Sequence, residues 1–161
     1  MKKIFPFNKV LLAVFLIVMA GFLQNTNLIN IAGIKPNLTL AILSTLAFFV
    51  TESAYYLLLV LIAVWFLRFE SGLEFATSVF ALVLLLVFWV RNFLPGKPFF
   101  NNLLLIALST LLFNLVIDFK FFGGDFFTVL IEMLYNIILG GLAFFALSRL
   151  FKDEKKFRFT F

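Results

Sequence analysis

Residues 37–67 read NLTLAILSTLAFFVTESAYYLLLVLIAVWFL, two apolar runs separated by Thr51-Glu52-Ser53. Whether that triplet lies within one helix or between two decides the fold. A single helix over 37–67 would be about 46 Å long at 1.5 Å per residue, against a hydrocarbon core of about 30 Å. It would also carry Glu52 to mid-membrane, where an acid costs about 2.5–3.5 kcal/mol on insertion scales. Two short helices in a tight hairpin, with Glu52 at the interface, avoid both penalties.

Outward from this pair the same pattern repeats. The apolar runs 10–23, 37–50, 54–67, 73–90, 102–117 and 126–149 predict an all-α integral membrane protein, a six-span transmembrane helical bundle forming one domain over 1–161. Several runs fall short of the roughly 20 residues that cross a bilayer, a deficit that flanking residues or local thinning can make up. With 64% hydrophobic and 13% charged residues, the chain carries more apolar surface than a soluble domain of this size could bury.

Charge placement favours an even number of spans. With the N-terminus inside, the cytoplasmic side holds ten basic residues: Lys2, Lys3, Lys9, Arg91, Lys97, Arg149 at the end of the last run, and Lys152, Lys155, Lys156 and Arg158 beyond it. The outside keeps Lys35, Arg68 and Lys120. Five spans from the same start would strand the basic tail 150–161 outside, against the positive-inside bias. The net charge of +5 thus reads as an orientation signal rather than a nucleic-acid surface. That tail, basic with interleaved Phe, reads as lying on anionic lipid, with docking on an intracellular partner as the rival. Lys2-Lys3, the apolar stretch after them and Val18-Met19-Ala20 also have the form of a signal peptide, whose cleavage would leave five spans.

No Cys and no His occur in the chain, which removes thiolate nucleophiles, the commonest metal ligands and the commonest general base. No residue pattern marks a catalytic, cofactor or metal site. The 26 Phe residues read mainly as lipid-facing filler. The segment 24–36, with Gln24, Asn25, Asn27, Asn30 and Gly33, reads as a loop or a short interfacial helix, with Pro36 at the start of the second span. Residues 91–98, with Pro95, Gly96 and Pro98, read as another.

The clearest constellation within a run is Thr128, Glu132, Asn136 and Gly140, spaced by four and sharing one face of the last span. An intramembrane acid is a functional candidate by default. It reads in two ways: a ligand or proton-coupling residue of a transporter, or interhelical glue in which Glu132 and Asn136 bond across to Asn114 on the fifth span. At the outer end, Arg68, Glu70 and Glu74 read as a salt-bridged loop, with Glu74 near a helix N-terminus.

As a whole the chain resembles the rod shape-determining protein MreD family. The resemblance rests on Gly33-Ile34-Lys35-Pro36-Asn37-Leu38 opening the second span, Leu67-Arg68-Phe69-Glu70-Ser71-Gly72 between the third and fourth, and Ile131–Leu150 with Tyr135-Asn136 in the last. The chain departs from the pattern at Tyr55–Phe66, which lacks the glycines that usually precede the acidic residue. The resemblance implies a non-enzymatic component of the bacterial cell-elongation machinery in the inner membrane, with both termini cytoplasmic. Its implied partners are an MreC-like single-span periplasmic protein, the peptidoglycan-elongation machinery and membrane lipid. A substrate-binding subunit of an energy-coupling vitamin transporter, or another small-molecule carrier, is similar in size and span number. Its small-residue docking face on the first span has only Ala13 and Ala20, seven apart, to match it.

Overall fold

The computed structural model describes residues 7–26, 29–30, 33–67, 74–117 and 126–151. These form an all-α membrane bundle of six helices: α1 (Phe7–Asn25), α2 (Leu38–Leu46), α3 (Ser53–Leu67), α4 (Glu74–Val90), α5 (Pro98–Ile117) and α6 (Phe126–Leu150). Four helical segments are long and apolar enough to cross a membrane: Asn8–Asn25, Phe75–Phe93, Pro98–Ile117 and Phe126–Leu150. The apolar α3 has 15 residues.

The pair that opened the sequence reading is indeed broken at Thr51-Glu52, but unequally. Where the sequence predicts a span over 37–50, the helix proper covers nine residues, about 14 Å at 1.5 Å per residue. Beyond Leu46 the backbone tightens: the N–H groups of Phe48 and Phe49 donate to the carbonyls of Thr45 and Leu46, three residues back. The chain then extends through Val50–Glu52, and the Glu52 carbonyl accepts the N–H of Tyr56 to start α3.

Every residue of α2 except Ile42 is buried, as are Ala47–Val50 after it. The reason is its place. α1 packs on α3, α3 on α4, α4 on α5 and α5 on α6, and α2 touches all five from the middle. Its polar side chains, Thr39, Ser44 and Thr45, are buried and hydrogen-bonded, which suits a helix in such a position. Lipid tails are as apolar as Leu, so van der Waals fit and interhelical hydrogen bonds hold such a bundle together, with little hydrophobic drive between helices.

Hydrogen bonds pin α2 along its length. Asn37, its N-cap, accepts the Leu40 N–H at 3.1 Å, so Pro36 precedes the cap instead of opening the helix. Gln24, in the last turn of α1, accepts from both the Thr39 N–H (3.0 Å) and hydroxyl (2.8 Å). Thr45 Oγ1 donates to Ala41 O at 2.8 Å and lies 3.3 Å from Gly140 O on α6. The Tyr56 hydroxyl reaches the carbonyls of Leu43 and Leu84, at 3.2 and 3.3 Å, so one proton links α2, α3 and α4.

At the far end of α2, Arg91 donates from Nη1 to Val50 O at 2.7 Å while its guanidinium lies 3.9 Å from the Phe88 ring centre. Arg91–Phe93 form a short 3₁₀ turn, and α5 then begins at Pro98, four residues before the expected span, where a proline's missing N–H costs nothing. Gly96 between them has φ of +114°, a conformation closed to other residues without strain. Phenylalanine is not only lipid-facing here. Phe48, Phe49, Phe80 and Phe151 are buried, and Phe49 packs on both Phe144 and Phe151.

Candidate functional site

Because α2 is shorter than its neighbours, the described residues leave the bundle unfilled beyond its N-terminus. A cavity of about 330 Å³ occupies that space, between the ends of α1, α3 and α5 and the first turns of α4 and α6. It is at the small end of the roughly 300–1,000 Å³ range of ligand sites. Phe80, Phe113, Leu67 and Ile117 provide its apolar lining. Phe80 and Phe113 meet edge to face at 6.0 Å. The polar lining comes from Gln24, Asn25, Lys35, Asn37, Thr77 and Glu132. Asn25 and Lys35 are exposed and mark the mouth.

Glu132 joins this cavity to the α5–α6 interface. Its Oε2 accepts a hydrogen bond from Asn114 Nδ2 at 3.2 Å, and Asn114 also donates to Thr110 O at 3.0 Å. One turn further along α6, Asn136 is fully buried and donates from Nδ2 to Thr110 Oγ1 at 3.0 Å. Asn136 Oδ1 has no partner among the described residues. Asn136 thus works through Thr110, and among the described residues no hydrogen bond joins it to Asn114. Ser44 and Ser109 face each other at 3.4 Å between α2 and α5.

The last of the four, Gly140, is where α2, α5 and α6 come closest. A Cβ placed on it would run into Ile106 and lie 3.4 Å from Thr45 Oγ1. Thr128, at the other end of the stripe, is exposed. Glu132, Asn136, Gly140 and Asn114 are therefore brought together along one seam, and only Glu132 of them reaches the cavity. Arg68 and Glu70, with the Glu74 side chain, lie outside the described residues, as does the tail beyond Phe151. Glu74 supplies the first residue of α4.

Sequence reasoning did not single out Gln24, Lys35 and Asn37 as a group, although all three sit where the chain turns from α1 into α2. Nothing in a loop composition indicates that its amides face inward. Asn102 was also missed. It is fully buried, and neither its Oδ1 nor its Nδ2 has a hydrogen-bond partner among the described residues. Among the described residues no three His, Cys, Asp or Glu side chains come together as a metal site. No family model matches the chain, and neither a curated protein nor a solved structure does so.

Proposed function

We propose that the protein is a non-enzymatic scaffold of the bacterial cell-elongation machinery, resident in the inner membrane with both termini and the Arg91 end of the bundle cytoplasmic. One observation supports this reading above the others. Apart from Asn102 and the Asn136 oxygen, buried polar side chains of the described helices bond one another or nearby backbone, along the Glu132–Asn114–Thr110–Asn136 seam and around α2, while the outward faces are apolar. Leu11, Phe15 and Phe22 form such a face on α1, and Leu134, Ile138 and Leu142 another on α6. Faces of this kind meet lipid and the helices of other membrane proteins. The family resemblance supplies the partner, an MreC-like single-span periplasmic protein.

Purification in a gentle detergent, followed by mass spectrometry of co-purifying proteins, tests the proposal. Recovery of a single-span periplasmic protein is the expected result. Recovery of ATPase subunits with a bound vitamin would sink the scaffold reading. It would favour a substrate-binding subunit of a transporter, for which the 330 Å³ cavity is the observation in favour.

A further inference from the structure

The geometry points to the cavity above α2 as a binding site for a small zwitterion carrying a primary ammonium and an acidic group. Such a group is presented by the phosphoethanolamine head of a lipid and by free molecules of the same charge pattern. This inference needs only the cavity and its lining, so it holds independently of the partner proposed above.

Four observations carry it. Lys35 and Glu132 line the same cavity, and no ion pair joins them. Glu132 is held in place by the Asn114 amide at 3.2 Å. A carboxylate offers about four lone-pair sites, so this bond leaves acceptor capacity for an ammonium. Phe113, half-buried, lines the same cavity, and an aromatic ring there favours a cation over a neutral guest.

The anionic end of the guest falls to Lys35. At the N-terminus of α2 the Thr39 and Leu40 N–H groups are already bonded to Gln24 and Asn37, which leaves Lys35 as the cation of the lining. The acidic group is then held at the exposed mouth and the ammonium in the interior. A simple anion would meet Glu132 repulsively, and a simple cation would leave Lys35 unmatched. Its volume of about 330 Å³, at the small end of the range of ligand sites, suits a guest of headgroup size.

Native mass spectrometry of the detergent-purified full chain, with added phosphatidylethanolamine or phosphatidylglycerol of identical acyl chains, tests the lipid source. Thermal-shift titration with phosphoethanolamine, and with ethyl phosphate as the amine-free control, tests the soluble source. We expect binding of the amine-bearing probe in at least one arm, with Glu132→Gln weakening it about tenfold, the effect of losing one charge-assisted hydrogen bond. Lys35→Glu, at an exposed site that leaves the packing intact, should weaken it comparably. Binding only in the first arm identifies a lipid headgroup, and only in the second a soluble zwitterion. The inference is overturned if neither amine probe binds, or if the amine-free probes bind equally well. It also fails if Lys35→Glu leaves binding unchanged, a result that does not depend on Glu132→Gln folding.

Discussion

Gly140 and Gly141 are adjacent in α6 and both buried, yet they answer to different constraints. A Cβ on Gly140 runs into the end of Ile106, itself fully buried, so that side chain has to shift within the packed interior. On Gly141 the same atom meets only Leu103 Cδ2 at 3.4 Å, an ordinary contact. Overpacking a fitted interface costs about 1–3 kcal/mol, whereas Gly→Ala in a helix interior returns up to about 1 kcal/mol. Gly140→Ala should therefore destabilise the bundle by up to about 2 kcal/mol, and Gly141→Ala should be neutral or stabilising by as much as about 1 kcal/mol. Parallel thermal unfolding of the two variants in one detergent checks this. Equal shifts would show that α5 and α6 are not pressed together at Gly140. The sequence places Gly140 on the face of Glu132 by its spacing of eight, so its side of the helix was legible. Which glycine is pinned was not, because that depends on the register of α5 against α6. Tyr56 was illegible for a related reason: it lies in an unbroken apolar run, and the carbonyls it bonds belong to α2 and α4.

At the scale of elements, α2 shows what apolar patterning can and cannot deliver. Its break at Thr51-Glu52 followed from length and from the cost of an acid at mid-membrane. Its brevity did not, because the run stays apolar past Leu46 through Ala47–Val50 and nothing in it marks where the helix stops. What ends it is local backbone tightening over Ala47–Phe49, and what closes that end is Arg91. In the sequence Arg91 counts only toward orientation. In the fold its guanidinium also takes the Val50 carbonyl and covers the Phe88 ring, which in turn stacks on Tyr56 at 4.4 Å. A hydrogen bond from a charged group is worth about 1.5–3 kcal/mol, and partial exposure of Arg91 reduces that. Arg91→Ala should destabilise the protein by roughly 1–2 kcal/mol and make the 50–53 connection more sensitive to protease. Arg91→Lys keeps the charge but loses the planar stack, so it should recover only part of the loss. Full recovery with Lys would mean that charge alone matters there and that the Phe88 contact contributes nothing.

At the scale of the whole molecule, the ends of the bundle differ in kind. One end is closed by aromatic packing: Phe49 against Phe144 and Phe151, with Lys9 Nζ 5.0 Å from the Phe151 ring centre. The other holds the cavity, its amides and Glu132. The hollow could not be read from the apolar runs, since it arises from a mismatch in length between α2 and its neighbours. The proposed orientation follows instead from the basic residues, ten on one side and three on the other, and sets the cavity outside. The natural absence of cysteine makes the orientation directly measurable. Asn25 ends α1 at the cavity mouth and Asn92 lies just beyond α4 at the opposite end, both exposed. In intact cells a membrane-impermeant maleimide should label Asn25→Cys, while Asn92→Cys should react only after permeabilisation. The inverse pattern would reverse the orientation and turn the cavity toward the cytoplasm. There it would face soluble metabolites instead of the outer leaflet, and a lipid-headgroup source in that leaflet would fall with it. Labelling of both sites from outside would be incompatible with α4 as a complete crossing between them. Because the two cysteines flank opposite ends of one rigid bundle, the pair fixes the side on which any zwitterion must approach.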